Sequence, residues 1–506
     1  MQHRIWLGLF AAAALVACNT WTGADSLELG DSPTGGGANG GSGGTTTTTN
    51  TQPTPGLVPV DGVFVDAVKL YQGVERPLMA NGAPAVSSTP VIANRPALLR
   101  VFYHRDAGYN GQPVTARLTL GGGVFEQQAN VPFAQSSDAD LSSTINFEVA
   151  AATLATGTVY KVELLQLEGV STGQNAAAAY PPANIVENLD VQNTGPQLRL
   201  VIVPIQYGAD GSNRLPDTTE SQMNRFRNLF MAMYPAAAVE LTVTAPAPYN
   251  GTVDAWGNGW DSLLNWLTNR RQSSGAAPDE YWYGMFNPDT TFYSFCSQGC
   301  VAGLSNLAGP GDAWARAGIG LGFSDPETAF TAAHEVGHAH GRYHAPCGGP
   351  QGVDPSYPYS GGRDNVYGYD IVLKELHSPN DTDIMGYCSN QWISDYTFRA
   401  LVQRMKTVNG AAMLLPPGWQ PTPYERVVLR ADGSASFETP ITLDRPPAEL
   451  ETTVTVVVDG VEQTVQGHFV PYDHVAGGTL VVPPPSAGTL SAVRFAVQGR
   501  DVVVAR

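Results

Sequence analysis

His334-Glu335-Val336-Gly337-His338-Ala339-His340-Gly341-Arg342-Tyr343-His344 holds four of the nine histidines in the 506-residue chain. It satisfies the pattern H-E-x-x-H-x-x-G-x-x-H at every fixed position. With 9 His, 55 Gly and 45 acidic residues as a ceiling for Glu, a chance match anywhere has odds on the order of 3 in 100,000. On a helix, positions i and i+4 lie one turn apart on one face, so His334 and His338 can aim at one ion. Ser324-Asp325-Pro326-Glu327 supplies a helix start: a capping residue, Pro in the first turn, and Glu as capping-box partner. Gly341 suits the left-handed conformation that ends a helix. The chain can then turn and bring in His344 as a third ligand. Three neutral imidazoles leave one tetrahedral position of Zn²⁺ open, the arrangement of a catalytic rather than a closed structural site. Such an ion lowers the pKa of water from about 15.7 towards about 7, and Glu335 stands beside it as general base. The alternatives are a metal-free histidine pair and a zinc-bound scaffold without turnover; the presence of Glu335 weighs against the second. His340, two residues past His338, falls on another face and reads as structural or solvated.

Outward from this stretch, the chain alternates strands and helices. Residues 198–205 read as a buried strand. Residues 219–234 carry Met223, Phe226, Phe230 and Met233 at helical spacing. Strands are expected at 239–244, 280–286, 301–307 and 315–322, and a helix at 256–269. Residues 58–195 look all-β, with strand-like runs at 97–103 and 144–149. The run 154–162, with Tyr160 after a Gly turn, resembles the tyrosine corner of immunoglobulin-like sandwiches. A Pro-rich hinge at 413–423 precedes a second all-β region, 424–506, where Asp459-Gly460 between two Val-rich runs signals a hairpin.

The N-terminus reads as an address. Arg4 precedes a short apolar run, 5–16, too short to span a membrane, which takes about 20 residues. It ends in Leu15-Val16-Ala17-Cys18, which resembles the lipobox of bacterial lipoproteins. That makes 1–17 a signal peptide and Cys18 the lipidation site. The alternative is an ordinary signal peptide with an incidental Cys. Residues 18–57, rich in Gly, Ser and Thr, form a flexible tether with a reach of roughly 35 Å. A net charge of −18 argues against a nucleic-acid binder, which needs surplus Lys and Arg. Without Cys18 four cysteines remain, Cys296, Cys300, Cys347 and Cys388. In an exported chain they suggest two disulfides, with three pairings open; the alternative, a zinc site of all four thiolates, is disfavoured because the spacings do not resemble paired C-x2-C knuckles.

The histidine segment resembles that of the metzincin clan of zinc endopeptidases, which also carry a downstream Met-turn. Asp383-Ile384-Met385-Gly386-Tyr387 matches that turn. The resemblance implies that Met385 packs beneath the zinc ligands. By likeness to astacin-like and serralysin-like members, it also implies that Tyr387 binds the resting zinc and then stabilises the oxyanion. It further makes 301–307 an edge strand that takes substrate as an added β-strand, with 315–322 next to it. Residues 395–408 become the closing helix, capped by Ser394. Cys347 and Cys388 fall near the floor of such a site, which implies a Cys347–Cys388 disulfide and, with it, Cys296–Cys300. The sequence departs from the clan in places. Ala345 follows His344 where reprolysins have Asp, and no cysteine-switch segment precedes the domain.

The resulting expectation is an α+β chain. A metzincin-like zinc domain, 196–412, is flanked by N-terminal (58–195) and C-terminal (424–506) β-sandwich-like domains. The expected activity is hydrolysis of peptide bonds in extracellular proteins or glycoproteins by a lipoprotein of the bacterial outer membrane or cell surface. Membrane contact is through the lipid alone, and mucin-type substrates are suggested by loose likeness of layout. The alternative is a surface adhesion lipoprotein with a vestigial zinc domain. Asp354, Asp364 and Asp370 offer calcium as a weaker second ion.

Overall fold

The computed structural model describes residues 46–47, 50, 52–183, 185–410, 420–443, 445, 447, 450–497 and 499–506. The signal segment, Cys18 and most of the tether lie outside the described residues, as do 413–419 of the hinge.

The strand β1 (Leu198–Tyr207) is apolar on nearly every position and buried on both faces. Such a run belongs in the middle of a sheet covered on both sides. Helix α1 (Glu220–Met233) follows, capped by Thr219, and buries Met223, Phe226, Phe230 and Met233 against the sheet. Next come β2 (Val239–Val243), α2 (Trp260–Ser273), β3 (Glu280–Phe286), β4 (Gly303–Ser305) and β5 (Ala317–Leu321). The sheet order is β2-β1-β3-β5-β4, parallel except for β4, which runs antiparallel along the edge. Helix α2 starts four residues later than its sequence suggests. The Asp254 side chain takes the N–H groups of Trp256 (2.9 Å) and Asn258 (3.0 Å) and holds them in a loop.

Helix α3 (Glu327–Ala339) lies across β5 and β4 with Ala329, Ala332, Ala333, Val336 and Ala339 buried. The first turn is held not by the expected Ser324 but by Asp325, whose Oδ1 accepts the Thr328 N–H at 2.8 Å just ahead of Pro326. Helix α4 (Asp395–Asn409) closes the domain, and Ser394 caps it by accepting the Thr397 N–H at 3.1 Å.

The N-terminal region forms two packed sheets. Strands Val63–Tyr71, Gly73–Ala80, Ala97–Arg105 and Ile145–Val149 face strands Val114–Leu120, Gly123–Ala129 and Val159–Leu167. Val65, Leu99, Val101, Leu118, Phe147 and Val162 fill the space between them. Two boundaries differ from the sequence reading. Leu57, the last residue of the expected tether, already opens a strand, Leu57–Pro59, paired to Val159–Leu167. The long connection after His344 also leaves the central domain: Gly368–Asp370 pairs with Gly73–Ala80 and extends the N-terminal sheet. The C-terminal region is one antiparallel sheet of seven strands, rather than two stacked sheets. It curls so that Ala435–Leu443 and Arg500–Ala505, at opposite ends of its order, come together. Its first strand begins at Thr422, inside the expected hinge. Tyr424, Ile441, Leu443, Val470 and Val481 from this sheet share an apolar cluster with Ala308, Trp314 and Ala315, so it docks on the central domain. No helix among the described residues is long and apolar enough to cross a membrane.

Arg95 joins the N-terminal and central regions. Fully buried, it donates to Gln72 O (3.3 Å), Ala236 O (2.8 Å) and Ala232 O (3.0 Å), the last two just past α1 and at its C-terminal end. Burial pulls its pKa down to about 9. Arg95→Met leaves those carbonyls without their donor and lowers stability by about 3 kcal/mol, read as a lower urea midpoint at unchanged slope.

Glu327, in the first turn of α3, has its carboxyl pushed up to about 7 by burial and by Asp325 beside it. From its ordinary pKa of 4.5 up to about 7, the folded chain holds a proton that the unfolded chain has released. Its contribution to stability therefore falls as pH rises through that window. Glu327→Gln removes this dependence. In thermal unfolding the variant gains melting temperature over the parent above the window and gains none below it.

Candidate metal centre

His334 and His338 stand one turn apart on α3 with their Nε2 atoms 3.0 Å from each other. Gly341 follows the helix at φ +79° and reverses the chain. His344 then returns with its Nε2 3.1 Å from that of His338. Each ring is fixed from behind. Nδ1–H of His334 donates to Ile384 O (2.7 Å), that of His338 to Arg342 O (2.5 Å), and that of His344 to Gln351 O (2.5 Å). With the proton on Nδ1, a neutral imidazole has a bare lone pair on Nε2.

Burial keeps the rings neutral. It holds His334 well below its ordinary pKa, with the neighbouring His338 and His474 adding to the effect. It brings His338 down to about 4, and lowers His344 as well. His338 Nε2 therefore meets the Nε2 lone pairs of His334 and His344 at about a hydrogen-bond distance with no proton between them. That contact is repulsive unless a cation sits among them, so the donors fit a divalent ion. Burial of neutral, Nδ1-anchored imidazoles is also how metal-ligating histidines are held.

The turn below is equally fixed. Met385 O accepts the Ala345 N–H at 2.9 Å, and the Met385 N–H donates to Asp383 Oδ1 at 2.9 Å. Met385 is buried directly under α3: a side chain at Gly337 would strike its sulfur. Asp383 also binds Ser394, tying the turn to the start of α4. Cys347 and Cys388 are joined in a disulfide, as are Cys296 and Cys300. The first of these links the segment after His344 to the turn. The Tyr387 hydroxyl lies 3.1 Å from His344 Nε2.

Glu335 points from α3 towards β4 and β5 and is 1% exposed. Two glycines make room for it. A Cβ on Gly303 would run into its carboxylate, and one on Gly318 would sit 3.2 Å from its Cβ. Burial, and then the nearby Asp473 charge, hold its pKa well above the ordinary carboxylate range.

Two members of the cluster escaped the sequence reading. Asp473 and His474 come from the C-terminal sheet, in the loop between β6 (Val461–Pro471) and β7 (Gly478–Val482). Asp473 Oδ2 lies 3.2 Å from His338 Nε2, and His474 Nε2 lies 3.1 Å from Glu335 Oε1. His474 Nδ1 meets the Tyr387 hydroxyl. The ligand atoms of His334, His338, His344, Asp473 and His474 all lie within 4.8 Å of one another, a group that could hold a metal ion. Asp473 Oδ2 has no well-aligned hydrogen-bond donor, and His474 Nε2 lies 3.0 Å from it. Nothing local marks the Asp473-His474 pair in the sequence. It sits in a strand connection 139 residues from Glu335, and only the fold brings the two together.

His340 lies apart from the cluster, its Nδ1–H bonded to Val336 O (2.7 Å) and its ring stacked on Tyr281 at 3.8 Å. The three aspartates considered for calcium form no group of donors among the described residues. Asp354 is taken by Arg342 (3.1 Å) and Tyr396 (2.9 Å), and Asp370 by the N–H groups of Val372 (2.7 Å) and Leu373 (2.8 Å). The Asp364 carboxylate is buried without a hydrogen-bond partner.

No protein-family model matches the chain, and no curated protein matches it.

The geometry makes His338 the central donor, in contact with two imidazoles and a carboxylate. Elemental analysis after dialysis should find one divalent ion per chain. His338→Ala should lose that ion, while His340→Asn should keep it.

Proposed function

We propose that the chain is a zinc-dependent endopeptidase acting on extracellular proteins or glycoproteins, carried outside the cytoplasm and held by a lipid on Cys18. The observation that carries this reading is the convergence of three proton-free imidazole nitrogens beside a buried carboxylate, Glu335. The resemblance of the His334–His344 segment and the Met385 turn to metzincins supports it. The two disulfides support an extracytoplasmic address, since such bonds persist in oxidising compartments.

Zinc held by these residues supplies Lewis acidity, polarising a carbonyl oxygen and acidifying water. The chain's own groups do the rest. Glu335, as the carboxylate, takes a proton from the attacking water and returns it to the leaving amine. The Tyr387 hydroxyl donates to the carbonyl oxygen as negative charge develops there, a stabilisation worth most in a site shielded from water. Strand β4, the antiparallel edge, offers backbone N–H and C=O groups to an extended peptide, which would bind as one more strand.

A second reading, a surface adhesion protein whose metal staples the C-terminal domain in place, is favoured by one observation: Asp473 and His474 bring the donors to five. Peptide cleavage separates the two. Because those two side chains stand against Glu335, the background for the assay is the double variant D473A/H474A. Loaded with zinc, it should digest a casein-derived peptide library. Adding Glu335→Ala should keep the metal and cut turnover by about 10²–10⁴-fold. Equal digestion with and without Glu335 would remove the general base, and no digestion at all would remove the endopeptidase.

A further inference from the structure

We propose that residues 471–474 are a built-in plug: a segment of the C-terminal domain that lies in the cleft as a substrate strand would and masks the metal, keeping the enzyme latent. This rests on the endopeptidase reading above.

The first observation is backbone pairing. The Leu307 N–H donates to Pro471 O at 2.9 Å, and the Asp473 N–H donates to Ser305 O at 3.2 Å. Between them Asn306 and Tyr472 form an antiparallel bridge. The segment thus adds a strand to the outer side of β4, the one free edge of the central sheet next to α3. The other edge, at β2, lies across the sheet. An extended peptide entering the cleft would need those same Ser305 and Leu307 groups.

The second is side-chain occupancy. Every group assigned to the chemistry is engaged by this segment. Asp473 Oδ2 faces His338 at 3.2 Å and His474 faces Glu335 Oε1 at 3.1 Å. His474 also meets the Tyr387 hydroxyl. Asp473 is further anchored by the Ser305 N–H, which donates to Oδ1 at 2.8 Å.

The third is cost. The Asp473 side chain is completely buried and is paired within its own loop with His474, whose Nε2 lies 3.0 Å from Oδ2. Burying a carboxylate is expensive unless it is paired or bound to a cation. The C-terminal sheet does not need it for its own fold, because its core is a separate set of Val, Leu and Phe side chains. Nor does docking of that sheet need it, because docking uses the apolar cluster around Trp314, Tyr424 and Val481. Opening the cleft also lifts Tyr472, which packs in the apolar cluster of the central domain with Trp260 and Leu304, so the closed state is the resting one. Gly477 (φ +110°) and Gly478 (φ +152°) at its base are in backbone conformations that favour glycine. A cavity of about 450 Å³ beside the segment, lined by Leu307, His338, Tyr343, His344, Gln351 and Tyr472, shows that the cleft is wider than the plug.

The test compares the full chain with D473A/H474A, each loaded with cobalt in place of zinc. Acetohydroxamate, a small bidentate metal ligand, is titrated against the visible absorption of the cobalt. A plug closed about 99% of the time weakens apparent affinity about 100-fold. The double variant should bind acetohydroxamate about 100-fold more tightly than the parent and cleave peptide faster by a similar factor. His474→Ala alone, which keeps the Asp473–Ser305 anchor, should fall between them. It also serves if the double variant does not fold. Equal hydroxamate affinity in parent and variants would overturn the plug, and so would loss of cobalt when the two side chains are removed. If hydroxamate affinity rises but no protein cleaves peptide, the plug stands and the endopeptidase reading fails.

Discussion

Three imidazole nitrogens that carry lone pairs and no protons, the middle one about 3 Å from each of the others, cannot rest so by themselves. Their protons are committed elsewhere, to the carbonyls of Ile384, Arg342 and Gln351, and burial prevents the rings from taking up more. The arrangement makes sense around a cation, and much of the central domain serves to maintain it. The Met385 turn supplies the Ile384 carbonyl, Asp383 ties that turn to the start of α4, and the Cys347–Cys388 disulfide ties it to the segment after His344. Gly337, Gly303 and Gly318 remove the side chains that would keep the turn and the edge strand away from α3.

Much of the central sheet was legible from sequence, because its signals are local. The apolar run of β1 and the 3.6-residue spacing of Met223, Phe226 and Phe230 each determine their element through contacts nearby. The late start of α2 was not, because Asp254 competes for backbone N–H groups in a way that hydrophobic periodicity does not register. The antiparallel pairing of Gly368–Asp370 onto the N-terminal sheet was also hidden. It is a three-residue strand whose partner lies almost three hundred residues earlier, and only tertiary packing selects it.

The site divides in the same way. His334, Glu335, His338 and His344 could be found because one helix and one turn set their spacing. Asp473 and His474 could not, because no spacing relates a strand connection in the last domain to a helix in the middle one. The long-range half of the site is also the half that bears on control. Local residues assemble the candidate metal centre, and in the plug proposal the distant loop decides whether anything else can reach it. The two flanking domains differ accordingly. The N-terminal one is bolted to the central domain through the buried Arg95, while the C-terminal one reaches the metal donors themselves.

The most direct measurement is an X-ray absorption spectrum at the zinc edge, taken on the full chain purified without chelator and supplied with one equivalent of zinc. Imidazole scattering from at least three histidines, with further nitrogen or oxygen donors completing the shell, is the expected result. Zinc that shows no imidazole in its first shell, or that washes away from the folded protein, would contradict a metal centre at His334, His338 and His344.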